Sequence, residues 1–230
     1  MTMLMHVPKV LSEAQLDAIC GKLAADGAPW VDGRVTAGHQ GAAVKSNQQL
    51  DEASALAREL GSVVLAELTR NALFVSAVLP YRVYPPMFNR FAEGMQFGTH
   101  VDGAIRTLRA SGEKLRTDLS ATLFLAAPAS YDGGELIIDS DFGSQSVKLA
   151  AGDLALYPAT MLHRVNPVTR GLRLACVFWV QSLVRDDLRR SQLFELDCTI
   201  QQLTQTGADA ASLVRLGAHY HALLRSWAET

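Results

Sequence analysis

Between positions 73 and 184 closely spaced turn residues cut the chain into short β-branched and aromatic runs, and this texture limits the architectures open to it. The first runs, 73–83 and 87–91, are broken at Pro80, Pro85 and Pro86. Short strands are then predicted over 99–102, 119–125, 135–138, 145–149, 154–157 and 172–181, with Asp132-Gly133-Gly134 and Gly152-Asp153 as turns. Many short strands with little helix between them form a double-sheet jelly roll or a barrel.

The flanks read differently. Leu16, Ile19, Cys20 and Leu23 recur at helical spacing over 12–25, and Ser12 followed by Gln15 makes a capping box. A second amphipathic helix is predicted over 50–71, carried by Leu56, Leu60, Val63, Val64, Leu65 and Leu68. Helical spacing returns beyond Arg185, and a last helix over 209–227 sets Leu213, Leu216, Tyr220, Leu223, Leu224 and Trp227 near one face. The expected fold is mainly β with flanking helices: an N-terminal helical region over 1–80, a jelly-roll core (a double-stranded β-helix) over 81–184, and a C-terminal helical extension over 185–230. The apolar face of the last helix exceeds what a lone surface helix needs, so a homodimer is expected.

Composition narrows the function. Of 230 residues, 21 are basic and 23 acidic, which gives no electrostatic reason to expect nucleic acid or an anionic membrane as partner. The basic clusters at 106–116 and 185–190 are interrupted by acids or apolar residues and read as a solvated loop and a helix face. The first eleven residues include His6 and Lys9 and lack the form of a signal peptide, and no apolar run approaches the roughly 20 residues of a membrane helix. A cytoplasmic location is expected. Cys20, Cys176 and Cys198 are odd in number and widely spaced, which favours free thiols over a disulfide framework.

The chemistry concentrates in a few residues. His100 and Asp102, two apart in a predicted strand, share a face and are able to bind one ion. His163, arriving from a neighbouring strand, completes two imidazoles and a carboxylate, the facial triad of non-haem Fe(II) oxygenases. Arg173 lies in the strongest predicted strand and shares a face with Ala175, Val177 and Trp179. A buried guanidinium there needs a counter-charge: either a ligand carboxylate, which its planar fork matches, or a protein acid such as Glu135 or Asp153. His219 and His221 point in different directions on a helix, and His6 and His39 have no partner at ligand spacing.

Several segments, in order, resemble the prolyl 4-hydroxylase-type dioxygenases. They are Arg90-Phe91-Ala92-Glu93-Gly94 through Phe97-Gly98-Thr99-His100-Val101-Asp102, Asp132-Gly133-Gly134-Glu135-Leu136, Gly152-Asp153-Leu154 to Pro158, and His163-Arg164-Val165-Asn166-Pro167 to Gly171. Phe178-Trp179-Val180-Gln181-Ser182 to Asp186 is similar to the bacterial PKHD-type hydroxylases, and the likeness runs on to the helical end of the chain.

The resemblance implies that His100, Asp102 and His163 bind Fe(II) and that Arg173 binds the distal carboxylate of 2-oxoglutarate. It implies consumption of O2, release of succinate and CO2, hydroxylation of a substrate C–H bond, and ascorbate as the reductant of the iron. Many prolyl hydroxylase-type sequences have tyrosine after the arginine of the first motif where this chain has Phe91, which removes a hydroxyl contact; Asn89, on the same strand face, either replaces it or caps a loop. Ser120 and Thr122 either add a hydrogen bond to the co-substrate or are satisfied core hydroxyls. Phe91, Val177 and Trp179 are expected to line the pocket. The segment 104–116 is either a lid that selects an acidic or polar substrate or a solvated loop. A peptidyl residue and a small metabolite both remain open as substrate. The rival readings are a cupin-like metalloenzyme that does not use 2-oxoglutarate and a non-catalytic jelly-roll binding or sensing module.

Overall fold

In the computed structural model, which describes residues 4–36, 39–140 and 143–229, the N-terminal segment contributes strands as well as helices. In chain order it runs β1 (Met5–Val7), α1 (Glu13–Ala24), β2 (Trp30–Asp32), α2 (His39–Val44), β3 (Lys45–Ser46), β4 (Gln48–Leu50), α3 (Ala55–Arg70) and α4 (Ala72–Val78). The capping box forms as predicted, with the Gln15 amide donating to Ser12 Oγ and the Ser12 amide to Gln15 Oε1.

Helix α4 overturns the strand-like reading of the first part of 73–83. Asn71 Oδ1 accepts from the Phe74 amide at 2.9 Å and starts a new helix one residue after α3 ends. Phe74, Ala77 and Val78 then share one buried stripe, so tertiary burial outweighs the β-branched composition. The two helices meet at 82°, and Leu79, in the left-handed conformation, closes the second. Among the described residues no single helix is long and apolar enough to cross a membrane.

The chain then becomes β, through β5 (Pro80–Val83), β6 (Met87–Phe91), β7 (Gln96–His100), β8 (Ile105–Thr107), β9 (Lys114–Arg116), β10 (Leu119–Phe124), β11 (Tyr131–Gly133) and β12 (Leu136–Ser140). It continues through β13 (Gly143–Val147), β14 (Leu154–Pro158), β15 (His163–Val165), β16 (Val168–Gly171) and β17 (Arg173–Ser182) to α5 (Asp187–Gln205) and α6 (Ala210–Trp227). The larger sheet has the order β1-β14-β10-β17-β6-β4-β2 with β5 added to β17, and the smaller one the order β13-β12-β15-β7-β3. The non-sequential neighbours in both sheets are those of a jelly roll.

Two local expectations change. The 104–116 segment is the β8–β9 hairpin rather than an open loop. Asp132-Gly133 is the end of β11, which pairs with β16 across a bulge, rather than a turn between hairpin strands.

Strand alternation sorts the side chains of the larger sheet. Leu119, Ala121 and Leu123 of β10, Leu154 and Leu156 of β14, and Cys176, Phe178 and Val180 of β17 face outward onto Ile19, Leu23, Leu60, Val64, Leu68 and Phe74 of the helices. The residues between them, Ser120, Thr122, Tyr157, Arg173, Val177 and Trp179, face the smaller sheet across a cleft. At the C-terminus Tyr220, Leu223, Leu224 and Trp227 of α6 pack on Leu79, Val184 and Leu193. Much of the apolar face of α6 is therefore covered within the chain, while Val214 is 72% exposed.

Gly133 shows how tightly the bulge is built. Its φ is +69°, and a Cβ there would lie 2.1 Å from the carbonyl oxygen of Pro167. Gly133→Ala is expected to cost more than about 2 kcal/mol, because backbone rather than a flexible side chain must yield. Gly21, within α1 and facing open space, is expected to gain up to about 1 kcal/mol as alanine. Denaturant midpoints of the two variants should move in opposite directions; equal midpoints would contradict the packing described.

Candidate metal centre

β7 and β15 run antiparallel as neighbours, and their register sets His100 opposite His163. The two rings lie 4.2 Å apart at 53°. Each imidazole Nδ1 is hydrogen-bonded to a carbonyl two residues earlier, His100 to Gly98 at 2.8 Å and His163 to Met161 at 3.0 Å. With Nδ1 donating, Nε2 of each ring keeps a lone pair for a metal. Burial and the neighbouring His163 hold His100 below the ordinary histidine range, which favours the neutral form a metal needs. Phe97 stacks on His100 at 3.6 Å and fixes its plane.

Asp102 reaches the histidines by a route that strand parity does not describe. β7 ends at His100, so Asp102 lies beyond the strand, and its carboxylate is held from the opposite sheet by Ser120 Oγ, which donates to Oδ2 at 2.5 Å. Its Oδ2 is 3.7 Å from His163 Nε2. One ligand atom each from His100, Asp102 and His163 falls within 4.8 Å of the others, a donor set suited to a divalent transition metal with coordination positions left open.

Arg173 lies in the same cleft and is 1% exposed. Its guanidinium carbon is 5.2 Å from the Phe91 ring and 5.5 Å from the Phe124 ring, so both phenylalanines pack against the cation. Both acids considered as its partner are engaged elsewhere. Glu135 accepts from Asn166 Nδ2 at 3.2 Å, and Asp153 sits 2.7 Å from His6 Nε2 and accepts from the Lys9 amide. Among the described residues no carboxylate forms an ion pair with Arg173, and its Nε is buried without a hydrogen-bond partner. Burial pushes its pKa down while the Tyr131 and Tyr157 phenols and, more weakly, the Glu135 carboxylate oppose the shift; an arginine nevertheless stays charged. Gly134 lets the chain pass over it, since a Cβ there would lie 3.0 Å from Arg173 Cδ.

The other predicted residues also line this cleft, whose volume is about 830 Å3, but their hydrogen bonds differ from the expectation. Ser120 is committed to Asp102, and Thr122 lies close to the Tyr157 hydroxyl. Asn89 Oδ1 accepts from Asn47 Nδ2 at 3.0 Å, which ties β6 to the N-terminal segment rather than capping a loop. Phe91, Val177 and Trp179 line the cleft.

Tyr131 was not singled out by the sequence. It is buried, faces Arg173, and its hydroxyl makes no aligned hydrogen bond. Its place immediately before the Asp132-Gly133-Gly134 motif was the available signal. His219 and His221 are exposed on α6, away from the cluster, and the side chain of His39 lies outside the described residues.

Known proteins bear on this geometry. Residues 86–181 match the 2OG-Fe(II) oxygenase superfamily, and residues 187–229 match the PKHD-type hydroxylase C-terminal domain. A PKHD-type hydroxylase of Paraburkholderia xenovorans is 58% identical over 227 residues, covering 99% of this chain and all of that protein. One from Xanthomonas axonopodis pv. citri is 56% identical over 229 residues, with the same coverage of both chains. Among solved structures, a prolyl-4-hydroxylase from Pseudomonas putida is similar with a TM-score of 0.53 at 19% identity, over 79% of this chain and 93% of that one. At that identity the likeness speaks to the fold. The readings without 2-oxoglutarate are not favoured by these matches. Fold, cleft and full-length similarity agree: the chain belongs to the PKHD-type hydroxylases, within the 2OG-Fe(II) oxygenase superfamily.

Proposed function

We propose that His100, Asp102 and His163 hold a single Fe(II) and that Arg173 binds the distal carboxylate of 2-oxoglutarate. The observation that carries this reading is Arg173 itself, a buried cation that forms no ion pair with a carboxylate among the described residues, opening into the cleft that contains the three ligand atoms. An arginine left so would be costly without a ligand carboxylate to pair with it. When bound, iron and 2-oxoglutarate supply the oxidising chemistry that converts O2 and the co-substrate into succinate, CO2 and a hydroxyl group on substrate carbon.

The chain's own residues orient and screen. The carbonyls of Gly98 and Met161 set the tautomer of the two imidazoles, and Ser120 fixes the carboxylate of Asp102. Arg173 offers a two-pronged donor, and Tyr131 adds a hydroxyl near it. Phe91 and Phe124 flank the guanidinium and exclude water, which strengthens its attraction for an anion. Val177 shares the inner strand face between Arg173 and Trp179 and screens the same space.

Ascorbate as reductant and a cytoplasmic location complete the reading. A homodimer is also proposed, supported by the apolar surface that α6 leaves outside its own packing, Val214 with the half-buried Leu213 and Leu216. Sedimentation as a monomer at micromolar concentration would remove that part.

His163→Ala is expected to abolish both iron retention and O2-dependent succinate release, because two remaining ligands compete poorly with water. His221→Ala, exposed on α6, should retain both. Equal metal content in the two variants would contradict the ligand assignment.

Arg173→Ala is expected to keep its iron while 2-oxoglutarate binding weakens by about 2 to 5 kcal/mol, roughly 30-fold to several thousandfold. Arg173→Lys should fall between, since it keeps the charge and loses the fork. Titration of the co-substrate alongside ligand-free thermal melts separates this from a structural role, for which the melting temperature falls and the affinity holds.

A further inference from the structure

The outer wall of the cleft holds a second cation that pairs with no carboxylate among the described residues. Arg106, on β8, lies with its guanidinium carbon 3.5 Å from the centre of the Trp179 ring and 5.2 Å from that of Tyr84. Its Nε–H is buried and finds no acceptor among the described residues. The indole Nε1–H of Trp179 finds none either, although that side chain is only 6% exposed and lines the cleft. Two side chains in contact, one of them charged, thus each hold a donor unsatisfied, and buried donors are normally satisfied.

The acid of this wall is occupied. Glu52 accepts from the Tyr84 hydroxyl at 3.1 Å and from Gln49 Nε2 at 3.4 Å, and it lies 3.9 Å from Arg109. Among the described residues no carboxylate forms an ion pair with Arg106. Lys45 lines the same cleft, and burial together with the charge of Arg106 pushes its ammonium down to about 8. That shift is the response of a cation crowded by burial and by charge of its own sign.

The sheet places this wall next to the metal ligands. Trp179 is the cross-strand partner of Ser120, whose hydroxyl holds Asp102. Arg173 starts the same strand, with its Cα about 20 Å from that of Trp179 at roughly 3.3 Å per residue, too far for one molecule of 2-oxoglutarate to serve both. Val101 and Ile105, exposed apolar side chains, line the same cleft as Arg106 and suit a short hydrocarbon. A volume of about 830 Å3 is that of a small-molecule site.

We propose that Arg106 and Trp179 are the docking point for a carboxylate carried by the substrate, so that the molecule hydroxylated is a small organic acid with an apolar portion. This rests on the cleft being the iron and 2-oxoglutarate site, and it makes Arg106 a specificity-determining residue. It also gives the β8–β9 hairpin a role, as the element that carries the cation to the cleft.

The test uses the full chain loaded with Mn(II), which supports no turnover, and saturated with 2-oxoglutarate. Butyrate and its uncharged counterpart butyramide are the probes, followed by the NMR line widths of their methyl protons, which Mn(II) broadens only in molecules bound near it. Saturable broadening is expected for butyrate and not for butyramide. Arg106→Ala should raise the butyrate concentration required by about ten- to a hundredfold, the loss of a charge-assisted hydrogen bond. Trp179→Phe, which keeps a ring and removes the N–H, should raise it several-fold. Both variants should hold Mn(II) and 2-oxoglutarate as the wild type does. Equal broadening in wild type and Arg106→Ala would put the acid on the metal and overturn the proposal, as would no broadening in a wild type that holds both metal and co-substrate. A wild type that holds neither overturns the underlying reading of the cleft, and the proposal with it.

Discussion

A guanidinium buried to 1% exposure on the inner face of the central strand sets the terms for the rest of this structure. Water no longer solvates it, and no protein carboxylate pairs with it among the described residues. The surroundings are arranged to tolerate the charge rather than to neutralise it. Two aromatic rings present their faces, two phenols lie near, and a glycine lets the chain close over the aliphatic stem. A cation left in this state is preorganised for an anionic ligand, because the cost of burying and orienting it has been met by folding.

The metal cluster depends on the two sheets meeting across the same space. His100 and His163 are neighbours in the smaller sheet, whereas Asp102 is anchored by Ser120 of the larger one. The Ser120–Asp102 hydrogen bond therefore joins the sheets at the point where the three ligand atoms converge. Helices α1, α3 and α4 back the larger sheet with apolar side chains, which holds β10 and β17 in register beneath Ser120, Arg173 and Trp179. Packing on the outer face of that sheet thus sets the positions of the polar groups on its inner face.

Much of this was legible in the sequence, for identifiable reasons. The register of 175–180 against β10 is unbroken, so the strand parity that puts Arg173, Val177 and Trp179 on one face could be read from the sequence, and the order of short motifs pointed to the family. The helical reading of 12–25 and 209–227 held because caps and spacing agree. Other features were hidden because they depend on contacts remote in sequence. The 72–78 helix is made by burial of Phe74, Ala77 and Val78, against a local composition that favours strand. The strands of the N-terminal segment, β1 to β4, are two or three residues long and carry no periodicity of their own. Ser120 offered no sign that its partner is Asp102, and Tyr131 and Arg106 gain meaning only from neighbours on other strands.

The central claim is that the histidine–aspartate cluster and Arg173 act as two ends of one binding site, bridged by 2-oxoglutarate. Two groups that bind one ligand must be thermodynamically linked. The most direct measurement is calorimetric titration of 2-oxoglutarate and of glutarate, which keeps both carboxylates and lacks the oxo group, into metal-free and Mn(II)-loaded protein. Metal is expected to tighten 2-oxoglutarate at least tenfold and to change glutarate far less, with one site per chain. An affinity for 2-oxoglutarate that is the same with and without metal would contradict the account.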